Sequence, residues 1–148
     1  MVNAFSTGPL ENEVVFGAES HTVSQTAWTK VLNNHPCQKV YATILVFALD
    51  GRKVLLHHTI LAVAPRASGF DVADVSGANE FEVQVAIWPR RDADAVLLSV
   101  FGKDETGALV AAHRLVHQEL TPIHELAFAD DDPRVQPSAK RSSDAGDA

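Results

Sequence analysis

The sequence predicts an all-β fold, a sandwich of roughly seven strands, jelly-roll or immunoglobulin-like, with an N-terminal arm and a disordered C-terminal tail. Three observations carry this reading. Residues 80–88 alternate, with Phe81, Val83, Val85 and Ile87 on one face and Glu80, Glu82 and Gln84 on the other, as in a half-buried strand. Residues 40–49 are apolar on both faces, rich in β-branched and aromatic side chains, and end at Asp50-Gly51, a two-residue hairpin signal. Strand starts recur roughly every dozen residues, with Gly, Pro, Asn or Asp at nearly every break.

The chain of 148 residues suits one domain: 46% of it is hydrophobic and 21% charged, which excludes wholesale disorder. Residues 1–20 read as an arm, mixing Asn, Gly, Pro and Ser with the apolar patch Val14-Val15-Phe16. Residues 21–126 carry the patterned hydrophobicity and form the sandwich domain. Strands are expected at residues 26–33, 40–49, 53–63, 69–75, 80–88 and 95–101. Residues 108–120 contain good helix formers. The turn-rich loop before them and the need of residues 96–101 for a partner favour a strand. Residues 127–148 form an acidic tail. From 129 onward it holds one large aliphatic side chain, Val135, too little to offset ordering entropy.

Composition also bounds function. A formal charge of −7 argues against a nucleic-acid partner, which calls for a dense basic face. The apolar run 40–49 is about half the length of a spanning helix, so no membrane insertion is expected. The first residues lack the basic and apolar regions of a signal peptide. One cysteine, Cys37, cannot make an internal disulfide.

No catalytic motif stands out. There is no Gly-x-Ser-x-Gly elbow, and the glycines are scattered singly rather than gathered in a phosphate loop. Cys37 follows His35-Pro36 in a loop, where a lone cysteine usually acts as a small hydrophobe. His57 and His58 are adjacent, and His113 and His117 are four apart. On a helix the latter pair could share a zinc ion; on a strand they stand about 13 Å apart and cannot. No cofactor, metal site or catalytic residue is therefore assigned. Trp28 and Trp88 are candidate ligand contacts, since an exposed indole on a sandwich can stack on a sugar. Val14, Val15 and Phe16 are the candidate self-association residues, a short extended apolar segment outside the patterned domain.

Residues 71–77 and 81–85, with Val100-Phe101-Gly102-Lys103-Asp104 and residues 113–121, resemble small β-sandwich proteins of endospore-forming bacteria. More loosely they resemble endospore appendage subunits, in which a flexible N-terminal connector precedes a jelly-roll domain. The resemblance spans residues 20–123. It implies a structural protein whose partners are copies of itself. Appendage connectors carry crosslinking cysteines, and residues 1–20 here contain none, so covalent crosslinking through the arm is not expected. The expected function is thus a non-enzymatic, self-associating structural protein, with a spore or cell surface as the compartment the resemblance suggests. A glycan-binding module is the alternative, and a metal-dependent enzyme using His113 and His117 the third reading.

Overall fold

The chain forms twelve strands among the residues described, 2–124 and 126, in a computed structural model. They are β1 (Ala4–Ser6), β2 (Leu10–Glu11), β3 (Glu13–Phe16), β4 (Glu19–Thr22), β5 (Thr26–Asn33), β6 (Val40–Ala48), β7 (Val54–Val63), β8 (Ala67–Asp74), β9 (Glu80–Trp88), β10 (Val96–Lys103), β11 (Leu109–Val116) and β12 (Thr121–Ile123). The seven long ones, β5 to β11, coincide with the seven apolar runs of the sequence. Residues 108–120 hold a strand followed by one 3-10 turn, His117–Glu119. The tail expected to be disordered, 127–148, lies outside the described residues.

Two antiparallel sheets make the sandwich. One runs β12-β1-β9-β6-β7, with β2 also paired to β9, and the other runs β11-β10-β5-β8. Between them lie Val31, Ile44, Val46, Phe81, Val83, Val85, Ile87, Val96 and Val100, all buried. Each large side chain buried there contributes about 1.5–3 kcal/mol before ordering costs. Asn33 pins the seam: its amide donates to the carbonyls of Gln38, Val63 and Ala64, tying the β5–β6 loop to the end of β7. His57 and Asp71 meet at 2.8 Å where β7 approaches β8.

The structure refines three expectations. First, the arm begins later than residue 1. β1 pairs with β9 and β12, and β2 with β9, so Ala4–Ser6 and Leu10–Glu11 belong to the large sheet, and what stands apart is the β3–β4 hairpin. Second, the β6–β7 connection runs from Leu49 to Lys53 instead of being a two-residue turn. The Leu49 N–H donates to the Glu80 carbonyl, and the Asp50 carboxylate accepts from the Asn79 and Glu80 N–H groups, which holds the loop against β9. Third, the polar face of β9 is not solvated. Glu82 and Gln84 are buried, because Glu82 accepts from the Ser6 hydroxyl and the Gln84 amide and pairs with Lys53 at 2.8 Å. Beside them a second apolar cluster joins Leu45, Phe47, Ala86, Trp88 and Leu126 on the outward side of the large sheet.

Candidate interaction surface

The β3–β4 hairpin turns at Gly17, whose φ of +60° a residue without Cβ adopts at little cost. Among the described residues its strands pair only with each other. Val14 is partly covered, whereas Val15 is 62% exposed and Phe16 74% exposed. The hairpin is rooted by Asn12. The Asn12 amide donates to the carbonyls of Ser24, Val75 and Ala78, and its side-chain oxygen accepts the Ser24 N–H. Its backbone closes two further bonds, to Asn79 and Val23.

The outward face of the four-stranded sheet is the second part of the surface. Trp28 on β5 stacks between Phe70 of β8, ring centroids 5.2 Å apart, and Phe101 of β10, 5.9 Å apart. The Lys103 ammonium sits 4.0 Å from the Trp28 ring centre, and the indole N–H donates to Thr26. Beyond this ladder Leu32, Leu97, Leu109 and Val116 stand exposed. They border a groove with two lobes of about 450 and 540 Å³, which share Lys30, Ser99 and Val116. Lys30, Lys103 and Arg114 line it, and among the described residues no carboxylate does.

His117 lies on the rim of this groove. Its Nδ1 accepts the Leu98 N–H, and its ring packs on Phe5 at 4.9 Å. Burial holds its pKa below the ordinary 6.5. His113, by contrast, is buried in the interior. The two rings serve different elements and do not converge. Among the described residues, no three His, Cys, Asp or Glu side chains are grouped to hold a metal ion. The His35 ring accepts the backbone N–H groups of Cys37 and Gln38 on Nδ1, while Cys37 itself is exposed. Both tryptophans have side chains packed on their rings. Trp28 meets Phe70, Phe101 and Lys103, and Trp88 is buried in the second cluster with the Arg90 guanidinium over its ring. They belong to different sheets.

Asn12 and the groove were not singled out from the sequence. Asn12 stands in a polar stretch with nothing to distinguish it from a loop residue. The groove did leave a signal: β5 and β10 carry Trp28, Leu32, Leu97 and Phe101 on the face opposite their core residues, so both strands are apolar on two sides.

No family model matches the sequence, and no curated protein does. The chain is similar in structure to the crystal structure of Thermotoga maritima 1070, with a TM-score of 0.47 and 10% identity over 78% of this chain and 91% of that one. It is also similar to the Anabaena sensory rhodopsin transducer, with a TM-score of 0.42 and 10% identity over 67% of this chain and 86% of that one. No helix among the described residues is long and apolar enough to cross a membrane.

Proposed function

We propose that the protein is a non-enzymatic structural protein that associates with copies of itself. The observation that carries this reading is the hairpin tip: Val15 and Phe16 are held in water on a two-stranded projection that neither sheet covers. Leaving two large side chains in water forgoes about 1.5–3 kcal/mol apiece, and a rigid root at Asn12 keeps them presented. The resemblance to endospore sandwich proteins supports the same reading and is the ground for placing the protein at a spore or cell surface. Glycan binding through Trp28 or Trp88 gains no support from rings on which other side chains already pack. Sedimentation velocity of the full chain tests the proposal. We expect species heavier than the 16.0 kDa monomer, reduced to monomer by Val15→Ser with Phe16→Ser. A full chain that stays monomeric at high concentration overturns it.

A further inference from the structure

We propose that the β3–β4 hairpin of one copy seats in the groove of the four-stranded sheet of the next, joining copies head to tail. This rests on the self-association proposed above and names both of its surfaces.

Charge complementarity argues for it. The chain holds 19 acidic residues against 12 Lys and Arg, yet the groove gathers Lys30, Lys103 and Arg114 with no Asp or Glu lining it among the described residues. The segment 11–22 has the opposite character: Glu11, Glu13 and Glu19 are exposed, and it contains no Lys or Arg. Opposed potentials of this kind set register and exclude the wrong pairing. The apolar parts also match. Val15 and Phe16 protrude, and Leu97, Leu109 and Val116 border the groove, all exposed in the single chain. Two different patches meet in such a contact, so it is heterologous and builds rings or open filaments.

The experiment is a charge exchange at exposed positions. One variant carries Lys30→Glu with Arg114→Glu, and the other Glu13→Lys with Glu19→Lys; circular dichroism confirms that each is folded. Each alone carries a like-charged hairpin and groove, and we expect its association to weaken by about tenfold or more. Mixed in equal amounts, the two variants present an opposite partner at every junction and should assemble again. Electron microscopy then distinguishes rings from filaments. A mixture that stays monomeric overturns the proposal. So does a groove variant that assembles as well as the unmodified chain while Val15→Ser with Phe16→Ser does not; self-association through the hairpin would then stand with a different receiving surface. If the unmodified chain is itself monomeric, both readings fall.

Discussion

The Nδ1 of His113 lies 2.6 Å from the Ser24 hydroxyl, 89 residues away in the chain. Its Nε2 lies 2.6 Å from the Glu11 carbonyl, which can only accept. In the neutral ring the proton therefore sits on Nε2, and Nδ1 accepts from Ser24. Both nitrogens are engaged, and Phe81 packs edge-on against the ring at 5.3 Å. The imidazole joins β11 to the N-terminal segment just below the hairpin.

Gly102 makes that contact sterically possible. A Cβ built there would collide with the Ser24 hydroxyl, lie 2.9 Å from the Ser24 Cβ and 3.2 Å from the His113 Cβ. Gly102→Ala should therefore cost about 1–3 kcal/mol, because overpacking displaces Ser24 as a whole. Urea unfolding measures it. Ser24→Ala relieves the crowding, so the double variant should lose less than the sum of the two single variants.

Asn12 should be the most sensitive polar position. It is fully buried, and Asn12→Ala strands the carbonyls of Ser24 and Ala78 together with the Ser24 N–H, while the Val75 carbonyl keeps the Ala78 N–H, a loss of about 3 kcal/mol. Asn12→Asp should cost more, since it aims a carboxylate at those carbonyls. Denaturant midpoints of the two variants give the order.

Acid should destabilise the fold in two stages. Burial depresses the His117 pKa below 6.5, so below that value the unfolded chain takes the proton first and stability falls with pH until the folded pKa is passed. Glu82 acts lower down. Burial raises its pKa, but hydrogen bonds from Lys53, Ser6 and Gln84 and the Lys53 charge outweigh it, and the net direction is below the ordinary 4.5. Its stabilisation is complete above 4.5 and disappears as pH falls through the folded value. Melting temperatures across pH should show both stages. His117→Gln should remove the upper one, and Glu82→Gln should weaken the lower, which Asp74 and Asp104, whose carboxyls are also held below the ordinary 3.8 by hydrogen bonds, share.

Leu126, 8% exposed, packs with Leu45, Phe47 and Trp88 on the outward side of the large sheet. Leu126→Ala should lower stability by about 2 kcal/mol, the low end for a buried leucine. Thermal unfolding checks it; an unchanged melting temperature would mean that the cluster holds without this side chain.

The long strands were legible because each obeys a local rule: apolar spacing in β9, apolar continuity in β6, turn residues between them. β1, β2 and β12 were not. With two or three residues apiece they have no period to read, and their partners, β9 for β1 and β2 and β1 for β12, lie far away in sequence. The same holds at the surface. Phe16 could be singled out as an apolar residue outside the patterned domain. Asn12 and Ser24 could not, because what matters about them is the set of distant carbonyls and the imidazole that they meet.

The root of the hairpin has a mechanical consequence. The bonds at Asn12 radiate from one residue to Ser24, Val75, Ala78 and Asn79, so a tug on the tip loads them in parallel instead of peeling them one after another. Through the Glu11 carbonyl and His113 the same tug reaches β11, an outer strand of the opposite sheet. The projection is thus tied to both layers of the sandwich, and a force applied at Phe16 is passed to each of them.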